Sequence, residues 1–359
     1  MRRRFLRLLP LALLAALVAC APARAPAPAA AERAPAAAAS QTDEQYYQGK
    51  TVRIVVGYAP GAAYDRIARS LARYLPKHVP GSPTIVVENM VGAGSTVAAN
   101  YVYRAAPRNG TVIGNFNSLL VLQQLMGGPG IEFDGAQFNW LGSTQDTRTV
   151  CMVRKSTGVR TLADVLGPSA KEVTMGAAAP GSDSWDYPSI LKDLGARLRL
   201  VGGYDGQAKT YLAVEQGEVD GTCSTWEAMR VSAVRLFDDG LVNVFVQLGL
   251  QKAADLPDVP LVGEYLQTDQ QRAMISALAS VSRITRPFAL PPDVPADRVA
   301  ILRQAFLDTM NDPDFRQEAE KAHDELAPKS GDEVAEIVRG ILATPPSVID
   351  DLKRITAAP

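Results

Sequence analysis

Short apolar runs alternate with helical periodicity along most of the chain. Seven runs rich in β-branched residues predict strands at 52–56, 84–87, 112–116, 150–153, 173–175, 198–201 and 219–223. They are almost continuously apolar, which is typical of strands that helices cover on both faces. Between 62 and 75, apolar residues recur at intervals of three and four, so this segment is predicted to form an amphipathic helix that ends before Pro76.

This alternation predicts an α/β fold in which mostly parallel sheets are wrapped by helices. The chain has 359 residues. At roughly 150 residues per domain, two domains are expected. From residue 296 onward the pattern is mostly helical, with helix starts predicted near Asp297, Asp312 and Asp332.

The first 45 residues have a different character from the rest. Four arginines in the first seven residues precede an apolar run at 8–18 that is too short to span a bilayer, so 1–19 is predicted to be a secretory signal. This segment ends Leu-Val-Ala-Cys, which resembles the lipobox of bacterial lipoproteins and implies lipidation of Cys20. The alternative is an ordinary signal with an incidental cysteine. Residues 21–40 contain 12 Ala and 4 Pro, so 20–45 is predicted to be a tether.

Charge and composition narrow the function classes. The chain carries 37 Lys and Arg against 38 Asp and Glu, and loss of the four leader arginines leaves 33 − 38 = −5. A nucleic-acid partner is not expected, since such proteins present a basic surface. With two histidines, His78 and His323, and three cysteines, we predict no metal, no cofactor and no catalytic residue. An exported α/β enzyme such as a hydrolase is the alternative.

Three predicted strands run into loops rich in Gly, Ser or Pro that open helices, at 57–65, 88–96 and 179–184. Glycine allows close approach of a ligand to the backbone, and a helix start presents unpaired N–H groups with a partial positive charge. Such loops hold an anion without Arg or Lys. Asp65 and Asp183 are either ligand contacts or helix caps, and the two roles are compatible.

Two other motifs carry less information. Gly92-Ala93-Gly94 has Val97 where a dinucleotide fingerprint needs a third glycine, and the first loop lacks the lysine of a P-loop. Cys151 and Cys223 fall in two predicted strands and would meet oxidising conditions after export, so a disulfide is one interpretation. We favour two buried free thiols, because nothing in the sequence determines their separation.

Several segments match one family in order along the chain. They are 50–61 (KTVRIVVGYAPG) with Asp65, 86–89 (VVEN) with 92–94 (GAG), 202–206 (GGYDG), 217–220 (GEVD), 256–260 (LPDVP) and 284–292 (ITRPFALPP). Together they resemble the solute receptors of tripartite tricarboxylate transporters, the Bug or TctC family. The resemblance spans about 47–342, and its two N-terminal loops are the most specific part.

The resemblance implies a two-lobed fold of the type II periplasmic-binding-protein kind. Lobe 1 is expected at 46–147 plus 278–342, lobe 2 at 148–277, and a C-terminal helix and tail at 343–359. It also implies that the following residues contact the ligand: Tyr58, Ala59, Gly61, Asp65, Gly92, Ala93, Gly94, Gly181, Ser182, Asp183 and Tyr204. Ala62 and Asp205 depart from the family pattern, which has a second glycine and a basic residue at these positions.

The implied function is that of an extracytoplasmic receptor. Its expected partners are a small organic carboxylate, the membrane permease subunits of a tripartite transporter and, through the N-terminal lipid, a membrane. It is expected to be a monomer anchored at the periplasmic face or the cell surface. The other interpretation is a receptor that passes its ligand to a sensor protein. The sequence does not identify which carboxylate is bound.

Overall fold

The computed structural model describes residues 46–357. The predicted signal segment, the Cys20 lipidation site and the tether therefore lie outside the described residues. Within 46–357, no helix has both the length and the apolar character needed to cross a membrane.

The described residues form two mixed β-sheets flanked by helices. The strands are β1 Thr51–Val56, β2 Thr84–Asn89, β3 Val112–Asn115, β4 Asn139–Gln145, β5 Thr149–Arg154, β6 Val173–Gly176, β7 Leu198–Val201, β8 Gly221–Thr225, β9 Val242–Gln247, β10 Thr285–Leu290 and β11 Lys329–Ser330. The first sheet has the order β11-β4-β10-β3-β1-β2, and the second has the order β7-β6-β8-β5-β9. The segments that build the second sheet are contiguous in sequence, whereas the first sheet also takes β10 and β11 from the C-terminal part.

Twelve α-helices are assigned within the described residues. They are α1 Ala63–Tyr74, α2 Thr96–Arg104, α3 Leu119–Met126, α4 Asp183–Asp193, α5 Gln207–Gln216, α6 Trp226–Ser232, α7 Val234–Asp238, α8 Asp269–Ser282, α9 Ala296–Asn311, α10 Pro313–Lys321, α11 Gly331–Leu342 and α12 Pro346–Thr356. Helix α1 buries Ile67, Ala68 and Leu71 on one stripe, as its apolar spacing predicts.

The α/β class is confirmed, and both sheets are mixed rather than mostly parallel. Strand β1 pairs in parallel with β2 and β3, and β6 pairs in parallel with β7 and β8. In the first sheet, β10 is antiparallel to β3 and β4, and β11 is antiparallel to β4; in the second sheet, β5 is antiparallel to β8 and β9. The seven predicted strands are all present within about two residues of their predicted ends, whereas β4, β9, β10 and β11 were not predicted.

The chain passes directly from β4 to β5 and returns through α8 to β10. The two connections are joined where the Thr147 N–H donates to the Ser282 carbonyl at 3.0 Å and the hydroxyls of Thr147 and Thr285 lie 2.9 Å apart. Helix α8 is continuous across the lobe boundary expected between 277 and 278. It packs against α3, α11 and α12.

The C-terminal helix α12 connects the helices of the two sheets. It packs against α3 and α8 and also against α4, which belongs to the second sheet. The Trp185 indole N–H donates to the Thr356 carbonyl at 3.1 Å, and Arg354 lies 3.3 Å from the Asp193 carboxylate. We call the first sheet with its helices and the second sheet with its helices the two halves of the protein. Helix α12 thus provides a third, non-covalent link between these two halves.

The expectation of two free thiols is wrong, because Cys151 and Cys223 form a disulfide. The antiparallel register of β5 and β8 sets these residues directly opposite each other, and both are fully buried. Apolar runs in the sequence predict both strands but not how they pair. The register that brings the sulfurs together was therefore not available from the pattern.

Candidate functional site

Three loops follow the carboxyl ends of parallel strands, where ligands bind in open α/β sheets. Loop 1 (57–62) follows β1, loop 2 (90–95) follows β2, and loop 3 (177–182) follows β6. Because β1, β2 and β3 are parallel, loops 1 and 2 leave the same edge of the first sheet. The Gly57 N–H donates to the Asn115 carbonyl at 3.0 Å, and the Met90 N–H donates to the Val56 carbonyl at 2.7 Å. These bonds continue the sheet into both loops.

The buried carboxylate of Asp65 fastens loop 1 to the end of β2. One oxygen accepts from the Gly61 N–H at 2.8 Å and from the Arg69 guanidinium at 2.9 Å. The other accepts from the Asn89 amide at 2.8 Å. These donors, led by Arg69, lower the pKa of Asp65 to about 2 against the opposing effect of burial. Both oxygens are thus engaged internally, and its contact with a ligand stays a prediction.

Loop 2 contains three consecutive residues in the left-handed region. Ala93, Gly94 and Ser95 have φ values of 45°, 60° and 79°. This conformation costs a non-glycine residue about 1–2 kcal/mol and persists only where surrounding contacts enforce it. Those contacts come from Asn117, whose N–H donates to the Ser95 hydroxyl at 2.9 Å, and from Gly57, where a Cβ would lie 2.2 Å from that of Ser95. Loop 1 therefore packs directly on the strained turn of loop 2.

Loop 3 is closed by its own side chains. The Gly181 N–H donates to Asp186 at 3.0 Å. The Ser182 hydroxyl donates to the Ala179 carbonyl at 2.6 Å, and the Ser184 hydroxyl accepts from the Ala178 N–H at 3.1 Å. Asp186 is buried and one turn into α4, so it holds the loop against the start of that helix.

Main-chain donors without an acceptor in the described residues occur at all three loops. The amides of Gly61, Gly181 and Ser182, which lie in the predicted donor loops, are used internally. Other amides in the three loops and at the starts of α1 and α4 have no acceptor among the described residues: Tyr58, Ala59, Ala63, Tyr64, Val91, Gly92, Ala93, Gly94, Ala179, Asp183 and Ser184. Each loop therefore retains N–H groups of the kind that bind an anion at a helix start.

Two adjoining cavities lie between the helices of the two sheets, and together we call them the cleft. Their volumes are about 220 and 530 Å³. They share Leu119, Gly181, Asp186 and Leu278. The smaller cavity is lined mainly by polar side chains from both sheets and from the connections between them: Tyr64, Asn117, Ser118, Thr147, Asp183, Tyr187, Thr225, Ser282 and Thr285. Loop 2 reaches the larger cavity through Ala93.

The structure places three of the predicted contact residues on the cleft wall, namely Ala93, Gly181 and Asp183. The other eight are not among the residues that line the cleft: Tyr58, Ala59, Gly61, Asp65, Gly92, Gly94, Ser182 and Tyr204. The Tyr58 ring stacks on Tyr64 with 4.4 Å between centroids and so supports a lining residue. The Tyr204 hydroxyl donates to Glu218 at 2.7 Å, away from both cavities.

Sequence reasoning missed Tyr64 and Asp186, which both line the cleft. Asp186 follows Asp183 by three residues, and this spacing places two carboxyls on one face of a helix that begins at loop 3. Burial raises the pKa of Asp183 to about 6 and that of Asp186 to about 7, where the neighbouring Asp183 adds to the effect and the Gly181 N–H opposes it. The three-residue spacing of the two aspartates was the signal in the sequence that could have identified Asp186 as a site residue.

Three solved structures share the fold and are distant in sequence. A TctC solute-binding protein from Polaromonas, solved without ligand, matches with a TM-score of 0.66 and 15% identity over 86% of this chain and 98% of its own. MatC from Rhodopseudomonas palustris with bound malate matches with a TM-score of 0.54 and 20% identity over 86% and 99%. An R. palustris protein with adipate matches with a TM-score of 0.57 and 18% identity over 86% and 97%.

No curated protein matches this chain significantly in sequence. The sequence profile of one family, described as the tripartite tricarboxylate transporter family receptor or TctC family, matches residues 67–353. The match covers most of the chain, from within α1 through β2 to β11 and into α12, and it leaves out β1 and loop 1. The chain is therefore a member of the TctC family of solute receptors.

Proposed function

We propose that this protein is an extracytoplasmic receptor that binds one small organic carboxylate in the cleft. The observation that carries the proposal is the presence of unengaged main-chain amides on three loops around one cleft, two from the first sheet and one from the second. Among the structural relatives, MatC is solved with malate and another R. palustris protein with adipate. Both ligands are small carboxylates, in agreement with the chemistry of the loops.

The binding mechanism follows from local dipoles rather than net charge. The unengaged N–H groups at the starts of α1 and α4 carry partial positive charge, and no basic side chain is among the described residues that line the smaller cavity. A carboxylate that accepts from these groups touches both halves of the protein at once. Closure of the halves adds contacts that the open form lacks, so the ligand favours the closed form.

The proposed cellular role is delivery of the bound acid to the permease subunits of a tripartite transporter. We propose that Cys20 carries the lipid, that 20–45 is the tether, and that a monomeric body stands at the periplasmic face or the cell surface. The arginines, the short apolar run and the Leu-Val-Ala-Cys sequence support this proposal. A receptor that serves a sensor instead of a permease would use the same cleft.

We further propose that the cleft binds its ligand without chemical change. Hydrolysis would need a nucleophile and a base within hydrogen-bond reach. The two histidines, which are the simplest bases, are not among the residues that line the cleft: His78 lies 3.1 Å from Asp312, and His323 lines a separate surface pocket. The hydroxyl of Ser182 is engaged with a carbonyl of its own loop.

Thermal unfolding with a panel of small carboxylates tests the proposed function. Ligand at a thousand times its dissociation constant stabilises the folded state by about 4 kcal/mol, which raises the melting temperature by several degrees. We expect at least one acid to do so, and expect its amide and methyl ester to have no effect because they lack the charge that the N–H groups recognise. Equal shifts from the acid and its amide would contradict the proposal.

A further inference from the structure

The wall of the cleft that belongs to the second sheet is acidic. Asp183 and Asp186 occupy the first turn of α4, three residues apart, and both line the smaller cavity. Lys353 of α12 is the basic residue among the described lining of the cleft, and it lies in the larger cavity, where its ammonium is 3.8 Å from Asp350. The two carboxyls therefore face the smaller cavity without a cationic partner in the described residues.

Their hydrogen bonds leave much of their acceptor capacity unused. Asp186 is only 8% exposed, and one of its oxygens accepts from the Gly181 N–H. Its other oxygen has no donor among residues 46–357. Asp183 receives a single long bond of 3.5 Å from the Thr149 hydroxyl. Among the described residues, the buried side-chain atoms that lack a partner include no oxygen of either acid. The unused oxygens are therefore exposed to the cavity, where the donors of a ligand can reach them.

The opposite wall has the complementary character. Loop 2 and the start of α1 offer N–H donors, which suit a carboxylate. The first-sheet side of the cleft thus presents N–H donors with no acid among its described lining residues, whereas the second-sheet side presents two carboxyls beside its N–H groups. A dicarboxylate would satisfy the donors but place its second negative charge against two acids in a site of low dielectric.

Resting on the proposed function, we propose that the ligand of this cleft is a small amino-carboxylate, whose carboxylate accepts from the loop amides and whose ammonium donates to Asp183 and Asp186. An ammonium has three donors and one positive charge, enough to bond both acids. The cavity of about 220 Å³ limits the ligand to a small molecule.

The titration of the two acids supports this proposal. Without ligand, burial raises the pKa of Asp183 to about 6 and that of Asp186 to about 7. Groups that face them are the phenols of Tyr64 (α1), Tyr187 (α4) and Tyr211 (α5), whose pKa burial also raises, and Lys353 on α12. An ammonium favours the ionised acids, so an amino-carboxylate should bind more tightly as pH rises from 5.5 to 7.5. A dicarboxylate should show the opposite trend.

Calorimetric titration of the purified protein with matched compounds tests the proposal. The panel pairs α- and ω-amino acids of three to six carbons with the monocarboxylate that lacks the amine and with the dicarboxylate of equal length. At pH 7.5 we expect one amino acid to bind at least tenfold more tightly than both of its counterparts. A dicarboxylate or plain monocarboxylate that binds as tightly as any amino acid would overturn the inference and leave the proposed function standing. Binding by none of the compounds would contradict both.

Variants of α4 separate ligand recognition from folding. Asp186→Asn preserves the shape of the side chain and an acceptor for the Gly181 N–H but removes the charge. It should reduce the ratio of the affinity for the amino acid to the affinity for its monocarboxylate at least tenfold. Asp193→Asn, at the other end of α4, is the matched control and should leave that ratio unchanged. An undiminished ratio in a folded Asp186→Asn protein would exclude this residue as the ammonium acceptor and contradict the proposal.

Discussion

Replacing both Asp183 and Asp186 with asparagine should stabilise the ligand-free protein at pH 8 by on the order of 2–4 kcal/mol. Asp186 is buried and Asp183 is half-buried beside it, and their folded-state pKa values are raised to about 7 and about 6, respectively. Ionisation is therefore penalised in the folded state, and a neutral side chain of the same shape avoids the penalty. Ligand-binding sites commonly keep groups that lower the stability of the folded protein. Substitution of such groups raises stability but impairs function.

The effect should depend on pH with a definite sign. An acid whose folded pKa lies above its unfolded value of about 3.9 holds its proton longer in the folded state, so stability falls as pH rises from about 4 to 7. The difference between the variant and the native protein should be about half as large at pH 5 as at pH 8.

Denaturant unfolding at the two pH values measures this difference. Asp193→Asn is the control, since it removes only a partly exposed pair with Arg354 and should change stability by less than about 1 kcal/mol. A double variant that is no more stable than the native protein at pH 8 would show that Asp183 and Asp186 carry no burial penalty.

Gly57→Ala should weaken carboxylate binding at least tenfold. A Cβ at this position would lie 2.2 Å from the Ser95 Cβ and 2.9 Å from its Cα, and the backbone of loop 2 has to move to admit it. Because Ala93, Gly94 and Ser95 keep their left-handed conformation only through such packing, the amides of loop 2 should lose their arrangement. The loss should appear in binding isotherms of a protein that retains its secondary structure.

Two further variants make this result specific. Gly263→Ala is the matched control, because a Cβ there meets nothing within 4 Å and Gly263 has an ordinary backbone conformation. It should bind like the native protein. Adding Ser95→Gly to Gly57→Ala removes the closest contact and should restore part of the affinity. Full affinity in Gly57→Ala alone would show that the packing of loop 1 on loop 2 does not support binding.

The sequence pattern predicted the parts of the fold that depend on local periodicity. Continuous apolar runs identified the strands that carry all three loops, and the spacing of apolar residues identified α1. Strands β4 and β10 were missed because glycine, serine, proline and arginine interrupt their apolar character, as in Asn139–Gln145 and Thr285–Leu290. Strand β10 runs antiparallel to its neighbours β3 and β4, so the first sheet is mixed rather than mostly parallel.

The sequence predicted the three loops of the candidate site, but it did not predict which of their residues line the cleft or which of their amides are free to bind a ligand. Gly61 and Gly181 were expected to donate to a ligand, yet aspartates four and five residues later capture their N–H groups. Such local bonds depend on rotamers that a sequence does not specify. The same holds for the Cys151–Cys223 disulfide, which depends on strand register.

A crystal structure of the protein with its tightest-binding small carboxylate tests the central claim most directly. The account predicts that the ligand carboxylate lies in the cleft, with its oxygens within about 3 Å of main-chain N–H groups of loop 2 and the start of α1. A carboxylate held instead by arginine or lysine side chains, or bound outside the cleft with these amides still unengaged, would contradict it.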